Sequence, residues 1–235
     1  MPANVESRLR LGNAIICGDA RGVIPRLPDG YFRCLLTDPP YGICYVSGWN
    51  GGRNAKPIEG DGGDAQELLE DVLRLGRPKL KRDAAVYVFT SWKTLPRTLE
   101  TIKRHFRVKN LLVWVKDSWG MGDLRGAYAG RHELIVYAVK GRPKLNPPRS
   151  SDVLSFPRVP PMLRLHPAQK PVELLEFLIK KSTDKGDAVL DPLAGSGSTA
   201  VACLRTGRSF VCIEKSLKYY AASVERIAGH LREGG

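Results

Sequence analysis

The sequence predicts an α/β domain built on a mainly parallel sheet with helices on both faces, and three observations lead there. Seven short runs rich in β-branched and aromatic residues recur along its 235 residues. Between them, five longer segments space their apolar residues at i, i+3 and i+4, the period of a half-buried helix. Several runs end in turns carrying Asp, Gly or Pro, where open parallel sheets hold their ligands.

Taken in order, Ala14–Cys17 is the first strand and stops at Gly18-Asp19. Arg33–Thr37 is the second and stops at Asp38-Pro39-Pro40-Tyr41-Gly42. Ala65–Leu75 and Leu95–His105 read as helices flanking a strand at Ala84–Thr90; strands at Lys109–Val115 and Glu133–Val139 follow. Pro171–Lys181 is helical, with Pro171 in the first turn, where a missing N–H costs nothing. The strands Ala188–Leu190 and Ser209–Ile213 alternate with the helices Ser198–Arg205 and Leu217–Leu231. Three stretches break the alternation. Gly42–Gly63 holds seven glycines and no period, and Asp117–Gly130 is a second Gly-rich connection. Gly141–Pro167 holds seven prolines, too many for a sheet or helix interior. From Lys140 to Lys170 there are seven Lys/Arg against one acid, Asp152, so this segment is either a solvated linker or a loop that contacts phosphates.

Net charge is +13, with an isoelectric point near 9.7, and favours a polyanionic partner. No apolar run approaches the ~20 residues that span a bilayer, and Met1–Leu11 lacks the apolar core of a secretory signal. Five widely spaced cysteines and four histidines form no metal pattern, so reduced thiols, a cytoplasmic setting and no metal are expected.

Four turns carry candidate chemistry. In Leu190-Asp191-Pro192-Leu193-Ala194-Gly195-Ser196-Gly197-Ser198-Thr199, an acid ends a strand and a G-x-G turn opens a helix. Glu214 ends the next strand, 23 residues on, where nucleotide folds grip ribose hydroxyls. A pyrophosphate would be repelled by Asp191, whereas a nucleoside bearing a cation suits it. A plain strand–helix turn and a dinucleotide site, with Ala200 in the third glycine position, stay open. After the second strand, two prolines remove two N–H donors. Asp38 and the Pro39 carbonyl then offer two acceptors side by side, as an exocyclic amine requires, and Tyr41 offers a flat face. A rigid turn is the plainer alternative. Asp19 is either an N-cap or an acceptor for an adenine amino group. His166-Pro167-Ala168-Gln169-Lys170-Pro171 is either an ordinary helix start or a place where Lys170 and a helix end receive a carboxylate.

The motifs TDPPYG (Thr37–Gly42), HPAQKP (His166–Pro171) and DPLAGSGST (Asp191–Thr199), in this order, resemble the circularly permuted β-group of DNA amino-methyltransferases, over nearly the whole chain from Ala14 to about Gly229. The resemblance implies a Rossmann-like, S-adenosylmethionine-dependent methyltransferase fold with seven strands, the last antiparallel. It implies one catalytic domain over 1–235: a catalytic half (12–140), a short basic target-recognition loop (141–165) and a cofactor-binding half (166–230). By position, Asp191, Gly195, Gly197 and Thr199 would line the methionine end of the cofactor, and Glu214 would hold the ribose. Asp19 would meet the adenine amino group, and Lys170 with His166 would close the carboxylate side. Asp38, Pro39, Pro40 and Tyr41 would be catalytic, with Tyr41 stacked on a flipped base. Leu193 replaces the Phe usual after D-P in this group. The implied activity is site-specific methylation of adenine N6 in double-stranded DNA, because the tetrapeptide begins with Asp where cytosine-amine enzymes more often carry Ser. Cytosine N4, RNA adenine, a non-catalytic DNA-binding relative and a nicotinamide oxidoreductase are the alternatives. A homodimer, a cognate restriction endonuclease and a nucleoid-associated location belong to the same expectation.

Overall fold

The protein is described by a computed structural model that covers residues 12–41, 64–119 and 125–233. Met1–Leu11, the Gly-rich Gly42–Gly63 segment and the centre of Asp117–Gly130 lie outside the described residues. The elements run β1 (Ala14–Cys17), α1 (Ala20–Val23), β2 (Phe32–Thr37), α2 (Ala65–Lys79), β3 (Leu80–Thr90), α3 (Leu95–His105), β4 (Arg107–Val115), β5 (His132–Lys140), β6 (Val153–Ser155), α4 (Val172–Ser182), β7 (Ala188–Asp191), α5 (Ser198–Thr206), β8 (Ser209–Glu214) and α6 (Leu217–Glu233).

All strands join one sheet in the order β1-β8-β7-β2-β3-β5-β4-β6. Seven of the eight correspond to the apolar runs. The antiparallel strand is not the last of the chain, β8, which runs parallel to β1 and β7, but β5, which inserts between β3 and β4. The eighth strand, β6, falls inside the Pro-rich stretch. Three residues are too few to show a period, and the strand exists because the edge of β4 offers a partner. Val113 N–H donates to the Asp152 carbonyl and Phe156 N–H to that of Val115.

The strands alternate their side chains between two cores. Cys34, Leu36, Ala85, Tyr87, Phe89, Ile135 and Tyr137 pack under α4 and α5. Their sequence neighbours Leu35, Val86, Val88, Val136 and Ala138 pack under α1, α2 and α3. Both faces are thereby covered, as a parallel sheet requires. At the centre, β7 and β2 are paired, with Leu35 opposite Leu190. From there β7 leads on to β8 on one side and β2 to β3 on the other. This reversal opens a crevice above the carboxyl ends of β2 and β7.

The basic segment after β5 starts at the opposite end of the sheet. Gly141 has φ +67°, the Arg142 N–H donates to Asp83 at the start of β3, and Asn146 bonds the last turn of α4 and Thr183 beyond it. A Cβ at position 141 would run into the Arg82 carbonyl and the Asp83 carboxylate. Gly141→Ala is therefore expected to cost about 1–3 kcal/mol in chemical denaturation, with the crevice at the other end of the sheet unaffected.

Candidate active site

The crevice is a cavity of about 550 Å³ that brings together Asp19, Asp38, Pro39, Pro40, Tyr41, His166, Lys170, Asp191, Gly195, Thr199 and Glu214. Of the residues expected from sequence, Gly197 does not line it. Its φ of +75° and the 2.9 Å separation that a Cβ would have from Ser223 make it a packing and turn position beneath the site. Gly42 lies outside the described residues.

One half of the cavity is built by β7, β8 and the turn between β7 and α5. Asp191 ends β7 fully inside the protein, accepting from the Thr199 hydroxyl (2.5 Å) and the Leu193 N–H (3.1 Å). Burial pushes its carboxyl up from 3.8 to about 7, against those two bonds and with help from the negative charges of Asp38 and Glu214. Among the described residues no cation pairs with it. Glu214 ends β8 and accepts from the Gly195 N–H (2.8 Å) and the Ser216 N–H (2.7 Å), tying the Gly-rich turn to the next strand end. Gly195, at φ +53°, faces the His166 ring. That ring packs edge-on against Tyr219 and accepts from the Ala168 N–H (3.1 Å). Burial, then the nearby Lys170 and Lys218, drive His166 down to about 4, so it is a neutral acceptor rather than a cation. Asp19 caps α1, accepting from the Arg21 N–H (2.9 Å), and pairs with Lys215 (3.3 Å) at the rim. Its cap role is thus realised at the cavity wall.

The other half is built by β2, β4, β5 and the residues before α4. Where the resemblance expected Lys170 to meet a ligand carboxylate, the carboxylates beside it here are the side chains of Asp38 and Glu133. The buried Lys170 ammonium donates to Asp38 Oδ2 and lies 3.3 Å from Glu133 Oε2 and 5.0 Å from the centre of the Phe89 ring. The Tyr41 hydroxyl donates to Asp38 Oδ1 (2.9 Å) and stands 3.3 Å from Glu133 Oε2. Lys116 at the end of β4 holds the other oxygen of Glu133 (2.7 Å) and lies over the Trp114 ring. Burial raises the Asp38 carboxyl against the pull of Lys170. Burial acts the same way on Glu133, but Lys170 and Lys116 outweigh it and hold that carboxyl at about 2. Sequence reasoning missed Glu133, Lys116 and Trp114. They carry no motif, and the one available signal was a charged residue opening or closing an otherwise apolar strand.

Arg158 and Arg164 of the basic segment also line the cavity, whereas Arg142 and the Asn146 region sit at the far end of the sheet. Among the described residues there is no group of three or more His, Cys, Asp or Glu placed to hold a metal, and no helix long and apolar enough to cross a membrane.

A family described as DNA methylase matches residues 32–225, and the chain belongs to it. The Escherichia coli (strain K12) protein YubD is 35% identical over 215 residues, 91% of this chain and 89% of that protein. The DNA adenine methyltransferase YhdJ of the same organism is 28% identical over 257 residues, covering 93% and 84%. Among solved structures, the M1.HpyAVI–SAM complex superposes with a TM-score of 0.71 at 24% identity, covering 91% of this chain and 98% of the other. The PvuII cytosine-N4-specific DNA methyltransferase superposes at 0.74 with 17% identity, covering 94% and 92%. The sheet and its helical layers are thus a shared, Rossmann-like methyltransferase fold.

Asp191 yields a stability prediction. Its folded value lies above the ordinary 3.8, so the folded chain binds this proton more tightly than the unfolded chain does. That contribution to stability is present at low pH and is lost as pH rises from about 4 to about 7. Without bound cofactor, Asp191→Asn should therefore be more stable than the parent by about 2–4 kcal/mol at about pH 8. The gap should close toward about pH 5, read by denaturant titration at each pH.

Proposed function

We propose that the protein transfers a methyl group from S-adenosylmethionine to the exocyclic N6 amine of adenine in double-stranded DNA, with residues 1–235 acting as one catalytic domain. The observation that carries this is the meeting of Asp38 and Asp191 in one cavity, on adjacent strand ends, with a counter-ion on the first and, among the described residues, none on the second.

The cofactor half fits a cationic nucleoside. Among the described residues Asp191 has no cationic partner, which a bound ammonium or sulfonium would supply, the Glu214 carboxylate would take the ribose, and Gly195 lets backbone approach closely. Thr199 orients Asp191 through its hydroxyl. Asp19 stands at the rim for the adenine amino group, and neutral His166 with Gln169 lines the wall that remains. When bound, S-adenosylmethionine supplies an electrophilic methyl on sulfur.

The chain's own work lies on the amine. An exocyclic amine is a weak nucleophile because its lone pair is delocalised into the ring. Asp38 and the Pro39 carbonyl accept its two hydrogens, turn the nitrogen toward tetrahedral geometry and free the lone pair. Pro40 keeps the turn stiff and Tyr41 stacks on the base. Stacking worth ~1–3 kcal/mol offsets part of the cost of extruding it. In-line placement then supplies much of the rate.

Adenine is favoured by Asp38 at the head of the tetrapeptide and by the likeness to YhdJ, a DNA adenine methyltransferase. Cytosine N4 is the second reading, favoured by the fold shared with the PvuII enzyme. Labelled-methyl transfer to unmethylated duplex DNA, digestion and nucleoside mass spectrometry should yield N6-methyldeoxyadenosine. N4-methyldeoxycytidine would overturn the choice of base, and no methylated base would overturn the activity. Asp38→Ala should lower transfer more than about a hundredfold and leave cofactor affinity within about threefold.

The same geometry redirects the phosphate contacts. Neutralising Arg158 and Arg164 should weaken DNA binding and lower the slope of log K against log salt by about 1–2. Neutralising Arg142 and Lys144 should leave the slope unchanged.

A further inference from the structure

The cluster around Asp38 has a fourth and a fifth member that the transfer reaction as described does not use. Glu133 is the second residue of β5, the antiparallel strand, and for that reason its side chain stands at the catalytic end of the sheet beside strand ends of opposite polarity. It meets Lys170 from the turn before α4, Tyr41 from the turn after β2, and Lys116 from β4. Two acids and two ammonium groups thus close a part-buried, nearly neutral quartet around the buried Lys170, with the further negative charge of Asp191 behind Asp38. Such a quartet is expensive to desolvate unless every member is paired, and removing one member leaves an uncompensated charge.

Both oxygens of Asp38 are occupied in this arrangement, Oδ1 by the Tyr41 hydroxyl and Oδ2 by Lys170. An incoming amine needs one of them. The Tyr41 hydroxyl has one proton, and Glu133 Oε2 is its second acceptor within 3.3 Å. Lys170 likewise divides its ammonium between Asp38 and Glu133. We propose that Glu133 is a positioning residue for the amine acceptor: it receives the Tyr41 hydroxyl when the target amine takes Asp38 Oδ1, and it shares Lys170 so that Asp38 remains a strong acceptor. Lys116 sets how much of Glu133's charge is felt, by holding its other oxygen. The role of Asp38 in this statement rests on the proposed function; the coupling of the five side chains does not.

The groups facing Asp38 are Lys170, Tyr41, Glu133 and, from β7, Asp191. Removing the charge of Glu133 gives Lys170 wholly to Asp38 and deletes a like charge, so the Asp38 carboxyl should titrate lower. Removing Lys116 exposes the full charge of Glu133, so it should titrate higher. The experiment is a carboxyl ¹³C NMR titration of Asp38 in the full-length protein without cofactor, in the parent, Glu133→Gln and Lys116→Met, each with its methyl-transfer rate.

Opposite displacements of about half a pH unit or more in the two variants are expected. A fall in kcat on the order of tenfold for Glu133→Gln should accompany them, with unchanged cofactor affinity. An Asp38 midpoint that stays put in either variant, or moves the same way in both, overturns the inference, since a packing defect has no reason to reverse sign. If Glu133→Gln does not fold, an upward shift in Lys116→Met supports the inference and its absence overturns it. A parent that transfers no methyl would defeat the proposed function while leaving the titration a valid test of the coupling.

Discussion

Two carboxylates end adjacent strands of one parallel sheet, and everything else in the site follows from how their like charges are carried. Pairing of β2 with β7 fixes Asp38 and Asp191 at the same crevice. Neither can be moved without breaking the strand order, and each makes the other harder to ionise. The chain gives Asp38 a permanent counter-ion in Lys170, which arrives from the far side of the sequence. It gives Asp191 only a hydroxyl and a backbone N–H. Under the proposed function, one acid is therefore ready before any ligand arrives, and a cationic ligand would complete the other. That asymmetry makes one cavity into two sites with separate tasks, and it makes the cofactor half a place where function costs stability.

The strand runs and the five long helices were legible because both faces of the sheet are covered and the alternation between two cores is regular. The D-P-P-Y, H-P-x-x-K-P and D-P-L-x-G-x-G turns were legible because each follows or precedes a strongly patterned element. What could not be read was anything set by long-range pairing. Strand β6 is created by the edge of β4. Glu133 and Lys116 matter only because β5 runs antiparallel and β4 ends where β5 begins. Lys170 was assigned by sequence to a ligand carboxylate; its distance from Asp38 along the chain hid the partner that the fold supplies.

The charge of the chain illustrates the same limit. A net +13 invites a polyanion, and the Pro-rich segment looked like the place for it. Yet helices α2, α3, α4 and α5 all end with Lys or Arg at the amino-terminal edge of the sheet, away from the cavity. Cations there complement the negative ends of the helix dipoles, and Arg142 joins them. Much of the excess charge therefore has a local structural reason. The case for DNA rests on the cavity and the family, with Arg158 and Arg164 as the cations of the Pro-rich segment that line the site.

The amine-binding pair also limits what the site can discriminate. A carboxylate and a proline carbonyl are two acceptors, and adenine N6 and cytosine N4 each present two hydrogens to them in the same way. The ring atom beside either amine, N1 in adenine or N3 in cytosine, is an acceptor as well, so a donor at that one atom does not tell the bases apart, whereas a donor one position further along the edge meets O2 in cytosine and C2–H in adenine. Under the proposed function, a further contribution is the size and shape of the space lined by Tyr41, Trp114 and Phe89, where a purine fills more volume than a pyrimidine. Base choice under the proposed function then draws on side chains of β3 and β4 as well as on the tetrapeptide headed by Asp38.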